Sequence, residues 1–429
     1  MKIFKAKYIP LTIIIGFNFF TLFIFFTAPI LWKTNNMFLF FLFALICQGL
    51  IALGYKIGYD KYSARDVSKK PLFTLSNERL NFIFIFYAAT FLIKYAYLLR
   101  YAIFDIRGMV SVLLIGLAAP TNGYALTLDS TIPYTVSWTL YFIISIINNS
   151  FFIIGFIKWR DMNRAKKYAF LFFVFIEIFY WMGRGTNFGV ISIITTLLFS
   201  MMYKLKSIKL SFRQIVLYGS LTIVLLIGSI AVFSFNMNSR RGGAELSYDQ
   251  FDFGKSYVDE NSAAFAVVPV ALHDTYMYVV SYLSQGYYHT CLAFDLSFQS
   301  TYFLGGNPAL IALASIAHID VWENTYVYRL KDKGVDPLVN WHSAYTWYAN
   351  DVSFFGVPVV LFIIGYLLGI SWTFSLNQND FLSKIVFIVL GNMLLYLFAN
   401  NTYLSSVFYS FVFICPLWYL TRVNRIKFS

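Results

Sequence analysis

Arg184 lies between two glycines in a short polar stretch, Met182-Gly183-Arg184-Gly185-Thr186-Asn187, which separates two apolar runs. A guanidinium group can hold a phosphate through two parallel hydrogen bonds, and glycines let a backbone approach a ligand closely. Glu177 precedes Arg184 by seven residues, on roughly the same face of a helix. An ionisable residue inside an apolar run is a functional candidate. The stretch therefore predicts an anion site with Arg184 as donor and Glu177 in support. The alternative is an arginine that reaches to lipid head groups beside a structural glutamate.

Further arginines lie near the ends of apolar runs. Arg240 and Arg241 directly follow one run and precede two glycines, so together they could hold the phosphate of a lipid-linked substrate. Contact with ordinary anionic head groups explains them equally well. Arg100 and Arg107 carry the same ambiguity. Lys94, inside an apolar run, is expected to extend outward to the head groups.

The segment 340–356 is rich in polar and aromatic residues and leads into an apolar run, so we expect its side chains to lie at the membrane surface, above the start of that run. His342 can exchange a proton near neutrality and would suit general-base work on a sugar hydroxyl. A capping or packing histidine is the alternative. Asp351 is the second candidate base, with a helix N-cap as its simpler role. In this segment Asn340, Tyr345 and Tyr348 are candidates for contact with a glycan. The aromatic rings could instead form a belt at the membrane interface.

The stretch 282–289 has the same aromatic and hydroxyl-rich character. Tyr282, Tyr287 and His289 are further candidates for glycan contact. His289 is also a weaker acid–base candidate, as is His273.

No cofactor is expected. His318 beside Asp320 has no supporting context, and the four histidines of the chain lack the spacing of zinc ligands. The three cysteines are isolated, so no disulfide framework is indicated. The sequence contains no motif for a nucleotide-binding P-loop, a zinc protease or a serine hydrolase.

The elements that must position these residues are apolar. Of 429 residues, 59% are hydrophobic and 12% are charged, whereas a soluble domain carries about 25% charged residues. Apolar runs repeat at the length that crosses a bilayer. The sequence predicts an all-α polytopic membrane protein of about ten transmembrane helices. The predicted spans are Tyr8–Trp32, Met37–Tyr55, Leu80–Leu99, Tyr134–Ile157, Tyr168–Met182, Phe188–Tyr203, Ile215–Phe235, Phe354–Phe374, Ile385–Phe398 and Val407–Leu420.

Loop charge orients these spans. With the N-terminus inside, the inner segments hold two thirds of the 33 lysine and arginine residues but only a quarter of the 20 acidic residues. This asymmetry predicts that both termini are cytoplasmic. The net charge of +13 therefore reports orientation, and a nucleic-acid partner is not predicted. The first apolar run is too long for a signal peptide and lacks a small-residue cleavage site, so it is assigned to the first membrane helix.

Two outer segments are longer than a turn. Residues 1–236 would form transmembrane helices 1–7 with a short outer segment at 100–133, in which the apolar piece Gly108–Ala119 is interfacial or re-entrant. Residues 237–353 would form one large outer loop with amphipathic helices, and structureless loops of that length are uncommon and usually functional. Within it, Ala263–Leu283 is expected to be a helix lying on the membrane surface. Residues 354–429 would form helices 8–10 and a basic cytoplasmic tail.

This layout resembles the O-antigen, or oligosaccharide repeat-unit, polymerases of the Wzy type. Three features carry the resemblance: the outward Gly183–Gly185 turn, the large late outer loop with its aromatic element at 282–286, and a series of residues that leads into the next span. That series is Asn340, Thr346, Tyr348, Asp351 and Gly356. The chain departs from the family pattern after Asp351, where Val-Ser-Phe-Phe-Gly follows.

The resemblance implies a GT-C-like membrane glycosyltransferase that faces the periplasm from the bacterial inner membrane. Its substrates would be undecaprenyl-pyrophosphate-linked oligosaccharides. It would contact the membrane lipids, and a chain-length regulator protein would be a further partner. Arginines at the mouth would stabilise the pyrophosphate leaving group in place of a metal. That role falls to Arg184, Arg240 and Arg241, with Arg100 and Arg107 as further members. His342, or else Asp351, would accept the proton of the attacking hydroxyl.

Other functions fit parts of the pattern. An O-antigen ligase or another GT-C glycosyltransferase would use the same donor and the same arginines. A flippase, which moves lipid-linked oligosaccharides, would need ionisable residues within its spans, whereas the candidates here concentrate at one face. A purely structural scaffold would leave costly charges at membrane depth without a task.

Overall fold

The computed structural model describes residues 7–63, 75–99, 105–123, 134–185, 187–205, 220, 227–239, 256–337, 340–377, 380–399 and 414–423. Most of these residues are helical. The helices are α1 (Ile9–Thr27), α2 (Met37–Ser63), α3 (Asn77–Leu99), α4 (Ile106–Ala118), α5 (Tyr134–Lys158), α6 (Arg164–Gly183), α7 (Phe188–Leu205), α8 (227–239), α9 (Ala263–Val267), α10 (His273–Ala293), α11 (Pro308–Ile316), α12 (Tyr326–Arg329), α13 (Ala344–Asn377) and α14 (Phe381–Leu395). Tighter or wider helical turns occur at Val270–Leu272, Leu330–Lys333 and Tyr419–Val423.

Several helices are suited to a membrane. In the part of the chain that the structure describes, four are long and apolar enough to cross one: Ile9–Thr27, Met37–Ser63, Asn77–Ala96 and Ala344–Asn377. Three more are apolar but shorter: Ile106–Ala118, Phe188–Met202 and Phe381–Leu395. Large apolar side chains on the long helices point outward: Phe23, Phe38 and Ile85 are 62%, 71% and 69% exposed. An apolar outer surface on helices of this length is the form that a bilayer accommodates. The chain is an all-α membrane protein, while the ten crossings and the inward termini stay predictions.

Two predicted boundaries are wrong. Helix α13 begins at Ala344, well before Phe354, so the polar segment that was expected to be the end of a loop is helical. Ser353, at φ 55° and ψ 171°, breaks the helical path, and the predicted eighth span is the part after this kink. The predicted surface helix Ala263–Leu283 is also interrupted. Pro269 has no N–H and disfavours a helical residue before it, so Val268 is extended and α9 stops there.

The chain divides into two compact units, and the first consists of Met1–Lys69, Glu245–Asn377 and Val389–Phe408. In this unit α1 and α2 form an antiparallel pair whose far end is closed by an ion pair between Lys7 and Asp60. At the opposite end, Ile30–Leu31 pairs with Tyr257–Val258 as two short antiparallel strands. The Asn36 carboxamide there donates to the Cys291 carbonyl at 2.9 Å. The segment 256–337 is thus attached at the end of the α1–α2 pair that lies away from Lys7.

Backbone-to-backbone contact joins α2 and α13. A Cβ atom on Gly54 or Gly58 would lie 2.2 Å from a carbonyl oxygen of α13, and one on Gly365 or Gly369 would lie 2.4 or 2.3 Å from a carbonyl oxygen of α2. Each helix therefore presents glycines four residues apart, one turn above another, which lets the two backbones meet. Small residues at this spacing are a recurrent means of packing helices in a bilayer, where lipid tails are as apolar as the side chains.

The second unit consists of Lys70–Ala244, Gln378–Ile388 and Tyr409–Ser429, and its described part is packed through aromatic rings. Tyr87 of α3 stacks on Phe151 of α5 with ring centroids 3.9 Å apart. Helix α4 packs on α6 in a cluster that contains Met109, Val112 and Trp181. Helix α6 begins with Asn163 as its N-cap, whose side chain accepts from the Lys166 N–H. The carboxyl end of α6 carries Glu177 and Arg184.

The glycine contact gives a matched pair of variants on one helix. Gly58→Ala places a methyl group 2.2 Å from the Tyr366 carbonyl oxygen, so the two backbones must separate. We expect a loss of roughly 1–3 kcal/mol, the usual cost of overpacking, seen as a melting temperature several degrees lower in detergent. Gly49→Ala is the control, because no atom lies within 4 Å of its added methyl group. Equal melting temperatures for the two variants would contradict the contact.

Candidate functional site

The first group of candidate residues, in the second unit, centres on a buried carboxylate. Glu177 is 6% exposed, and both of its oxygens accept from the Lys94 ammonium at 2.7 Å. The Tyr95 hydroxyl donates to the same carboxylate at 2.8 Å and the Trp181 indole N–H at 2.9 Å. A buried charge is tolerated only when it is paired and hydrogen-bonded in this way.

Lys94 does not extend outward, so that prediction is wrong. The residue is 5% exposed and its side chain turns inward to Glu177. Sequence reasoning missed the pair because the partners lie 83 positions apart and on different helices. The signal that could have found it was the presence of one basic and one acidic residue inside two predicted spans, since isolated charges at that depth are unfavourable.

Arg184 follows the last turn of α6, on the same side as Glu177. Its Nη1 donates to the Tyr180 hydroxyl at 3.2 Å, and its guanidinium carbon lies 5.9 and 5.3 Å from the ring centroids of Tyr180 and Trp181. The side chain is half-buried, and the buried Nε atom has no hydrogen-bond partner among the residues that the structure describes. The two ring contacts and the hydrogen bond to Tyr180 hold the guanidinium at the end of α6, while part of its donor edge is left for another acceptor.

The glycines beside Arg184 serve packing, in contrast to the predicted approach of a ligand. A Cβ on Gly116 would lie 1.6 Å from the Gly183 carbonyl oxygen, and one on Gly185 would lie 2.3 Å from the Pro120 carbonyl oxygen. Gly185 also has a φ of +64°, which disfavours any residue with a side chain. The turn after α6 is therefore pressed against the end of α4 and the segment 119–123.

The end of α8 reaches the same region of the second unit. The Thr121 hydroxyl donates to the Ser239 carbonyl at 2.5 Å, and the Asn236 carboxamide donates to Asn187 at 2.7 Å. Ser239 is thus held beside the segment that packs on Gly185. The predicted phosphate ligands Arg240 and Arg241, which follow it, lie outside the described residues, as does Arg100. Arg107 is described, in the first turn of α4, where its side chain is exposed.

The second group of candidates, in the first unit, is closed instead of forming an open mouth. His342 and His289 are both 0% exposed, with ring centroids 5.0 Å apart. His289 Nδ1 donates to the Trp341 carbonyl at 2.9 Å, which leaves Nε2 as the unprotonated nitrogen of the neutral ring. Among the described residues, this Nε2 has no hydrogen-bond partner.

Both histidines lie outside the four candidate spans, and both are neutral at pH 7. Burial lowers the pKa of His289 to about 4, although the hydrogen bond to the Trp341 carbonyl raises it in part. Burial also lowers the pKa of His342 well below its ordinary value, and the neighbouring His289 ring adds to this effect. A neutral imidazole has the lone pair that a base needs, but a lowered pKa makes it a weaker base.

Hydroxyl groups of three residues, of which the sequence analysis named only Thr346, join α10 to the start of α13. Thr290 Oγ1 lies 2.6 Å from Ser343 Oγ and 3.0 Å from Thr346 Oγ1, and all three residues are 0% exposed. The backbones come together at Gly286, where a Cβ would lie 2.9 Å from the Ser343 amide nitrogen. The signal in the sequence was the set of small and hydroxyl residues at 284–290 and 343–346, which is typical of close helix packing in membranes.

Most residues predicted to contact a glycan also belong to this closed region. Tyr287 and Tyr345 are 0% exposed: the Tyr287 hydroxyl bonds to Thr21 at 2.8 Å, and the Tyr345 hydroxyl accepts from Gln48 at 3.0 Å. Tyr282 packs on Trp341 with ring centroids 3.9 Å apart. The two remaining candidates are Asn340, whose side chain closes a turn by accepting from the Asp336 N–H, and Tyr348, which is half-buried.

Asp351 holds a loop: its side chain, two residues before the kink at Ser353, bonds to the segment 301–306 instead of capping the helix that follows the kink. Its carboxylate accepts from Thr301 Oγ1 at 2.6 Å and from the N–H groups of Gly305 and Gly306 at 2.8 and 2.9 Å. The Asn350 carboxamide adds a bond to the Gly305 carbonyl at 2.9 Å. We call this arrangement the loop clasp: Asn350 and Asp351 of α13, and residues 301–306.

Two large side chains at the tip of this loop are in an unusual backbone conformation. Tyr302 and Phe303 have φ values of 54° and 62°, a region that favours glycine, and they are 70% and 71% exposed. Backbone in this region costs roughly 1–3 kcal/mol for each residue and persists only where its surroundings hold it. The loop clasp is what holds it here.

Among the described residues, no group of three or more His, Cys, Asp and Glu could hold a metal ion. Comparison of the chain with models of known families, with curated proteins and with solved structures found no match. The function of the chain is therefore inferred from the two groups of residues described above.

The loop clasp predicts how Asp351 variants behave. Asp351→Ala removes three hydrogen bonds from the strained loop, so we expect chymotrypsin, which cuts after aromatic residues, to cut at 302–303 at least tenfold faster. Asp351→Asn keeps an acceptor and the side-chain shape, and cleavage should rise less. Exposed Glu260→Ala is the control, with wild-type cleavage. Unchanged cleavage in Asp351→Ala would refute the clasp, whereas an intact loop without activity in Asp351→Asn would favour the predicted role as a base.

Proposed function

We propose that the protein polymerises undecaprenyl-pyrophosphate-linked oligosaccharide repeat units into O-antigen or capsule-like surface polysaccharide on the periplasmic face of a bacterial inner membrane. The bond between the anomeric carbon and the pyrophosphate oxygen of one lipid-linked glycan breaks. A bond then forms from that carbon to a hydroxyl oxygen of another lipid-linked unit. The hydroxyl proton passes to a base, and the lipid pyrophosphate leaves with the electron pair.

The observation that carries the proposal is the setting of Arg184. Its guanidinium lies at the end of an apolar helix in a membrane protein, in contact with the rings of Tyr180 and Trp181. Its buried Nε is unsatisfied by any described residue. A donor fixed in advance stabilises charge that builds on a leaving group without having to reorganise during the reaction. A diphosphate at the membrane surface matches both the charge and the planar donor edge of this group.

The neighbourhood of Arg184 supports a larger anion site. Ser239 is held beside the segment that packs on Gly185, and two arginines follow it directly in the sequence. We propose that Arg240 and Arg241 share the diphosphate with Arg184, and that Arg107 and Arg100 add to the positive electrostatic potential around the diphosphate. Glu177 is engaged with Lys94 and positions the last turn of α6, so its proposed part is support rather than contact with substrate.

His342 is our proposed base, with Asp351 as the second choice. A neutral imidazole can accept the proton of the attacking hydroxyl. Because His342 is buried, this use requires a movement that separates the start of α13 from α10 and brings the acceptor sugar to the ring. The hydroxyl groups of Thr290, Ser343 and Thr346, which join the two helices, are the contacts that such a movement would break.

A second candidate function, a transporter of lipid-linked oligosaccharides, is favoured by one observation. The Lys94–Glu177 pair is an ionisable pair within apolar helices, which is where a substrate path would need charge. Cells that lack the protein would separate the two functions. Without a polymerase they would display glycan of a single repeat unit, and without a transporter they would have no outward-facing intermediate. A ligase would be recognised by loss of ligated polymer alone.

The Arg184 proposal is tested by substitution in cells. Arg184→Ala should abolish chain extension at normal membrane levels, because the leaving group loses its charge partner. Arg184→Lys should restore only part of it, since an ammonium keeps the charge but lacks the planar pair of donors. Surface glycan resolved on a gel gives the readout, and exposed Arg160→Ala is the control with wild-type chains. Polymer of wild-type length in Arg184→Ala would reject the phosphate-binding role. Full activity in Arg184→Lys would mean that position 184 needs only a positive charge and not the paired donors of a guanidinium.

A further inference from the structure

An open groove of about 710 Å³ lies in the first unit, away from the two histidines discussed above. Its walls are α11, the segment 318–322 and Trp347 of α13. The volume falls within the range of roughly 300–1,000 Å³ that is usual for small-molecule sites. We call this cavity the α11 groove.

The lining of the α11 groove pairs an aromatic residue with polar groups. Trp322 is half-buried, and Ser315, His318 and Asp320, which carry a hydroxyl, an imidazole and a carboxylate, are all exposed to solvent. Trp347 also lines the groove but is 3% exposed. A sugar ring has an apolar C–H face and an edge of hydroxyl groups, so it needs both kinds of surface at once. A lipid tail would leave the polar wall unsatisfied.

The charge of the groove decides against a phosphate. Of the lining residues that the structure describes, one carries a carboxylate and none is a lysine or arginine. A diphosphate would therefore meet a negative group without a cationic partner. The groove suits a neutral or amine-bearing sugar, and the diphosphate belongs to the arginines of the second unit.

The backbone fixes the polar wall in advance. Helix α11 ends with the His318 N–H bonded to the Ser315 carbonyl at 3.1 Å and the Ile319 N–H bonded to the Ala314 carbonyl at 2.8 Å. In this type of ending the residue with left-handed backbone is usually glycine. Here it is His318, at φ 57°. A histidine at a position that favours glycine puts an imidazole on the rim of the groove at a cost in backbone strain.

Backbone hydrogen bonds also hold Trp322. Its backbone N–H donates to the Asp320 carboxylate at 3.2 Å, and its backbone carbonyl accepts from Thr325 Oγ1 at 2.6 Å. Its ring lies against Tyr328, with centroids 5.7 Å apart. A ring that is already ordered loses little entropy when a ligand stacks on it.

The loop clasp joins the two walls of the groove. Gly306 is two residues from the start of α11. A Cβ at this position would lie 2.3 Å from Asp351 Oδ2, so a larger side chain does not fit there. The same Cβ would lie 3.4 Å from the Trp347 carbonyl oxygen on the opposite wall. Asp351 thus sets the distance between α11 and α13, and with it the width of the groove.

We propose that the α11 groove is a carbohydrate-binding subsite, in which Trp322 stacks on a neutral or amine-bearing sugar of the glycan and His318 and Asp320 bond to its hydroxyl groups. This inference rests on the proposed function, because it assigns the groove to the glycan of that reaction. By holding sugars of the growing glycan, the groove keeps the chain bound between additions. Its loss shortens the polymer and leaves formation of a first bond intact.

The first test measures chain length in cells that carry variants in place of the wild-type protein. Trp322→Ala is expected to reduce the modal length of the surface polymer at least twofold at wild-type membrane levels, and Trp322→Phe, which keeps an aromatic face, to reduce it less. Asp320→Asn changes an exposed side chain only and should also shorten the polymer. Val270→Ala, 81% exposed and outside the groove, is the control with wild-type length. Wild-type length in both Trp322→Ala and Asp320→Asn overturns the proposal.

The second test measures binding without the reaction. Purified protein is titrated calorimetrically with polysaccharide released from the producing cells, and separately with inorganic pyrophosphate. The wild type should bind the polysaccharide at least tenfold more tightly than Trp322→Ala, with equal pyrophosphate binding in the two proteins. Equal affinity for the polysaccharide overturns the subsite. Failure of the proposed function looks different, because cells that lack the protein would then keep polymer of wild-type length whatever the groove binds.

Discussion

A carboxylate inside an apolar helix bundle must be paired, and the network around Glu177 shows how completely this chain meets that requirement. Lys94, Tyr95 and Trp181 give the carboxylate an ammonium, a hydroxyl and an indole N–H. The energy involved is large, since removal of one partner from a buried ion pair costs roughly 3–5 kcal/mol. Against that background the nearby guanidinium of Arg184 stands out, because its Nε has no acceptor among the described residues. The functional proposal depends on this contrast.

Close backbone contact is the second constraint, and it explains why small residues recur at the junctions. Gly58 and Gly365 let α2 and α13 touch, Gly286 lets α10 reach Ser343, and Gly183 fits against Gly116. Such contacts hold the neighbouring backbones close together. Arg184 directly follows Gly183 and His342 directly precedes Ser343, so both candidate residues lie beside a contact of this kind.

The sequence predicted the helices better than it predicted the site. Apolar runs of bilayer length overlap the described helices because span length and apolar content are set by the membrane itself. Lys94 and His342 were placed wrongly because partner choice is a property of tertiary packing: a lysine that could have reached the head groups found Glu177, and a histidine expected at an open mouth was covered by α10. The start of α13 was missed because the polar residues 344–352 are helical through hydrogen bonds to distant segments, including that of Asp351 with the loop at 301–306. Part of the setting of Arg184 comes from its neighbours in sequence, Tyr180 and Trp181, and its role in binding phosphate stays a prediction.

The proposed function requires that the segment 256–337 of the first unit works outside the cytoplasm. The three native cysteines are no more than 7% exposed, so a cysteine introduced at an exposed position can be labelled selectively. Val267 is 83% exposed in this segment, whereas exposed Lys61 lies at the opposite end of α2. In intact spheroplasts a membrane-impermeant maleimide should label Val267→Cys and should label Lys61→Cys only after permeabilisation. Labelling of Val267→Cys only after permeabilisation would place the segment in the cytosol and contradict the account.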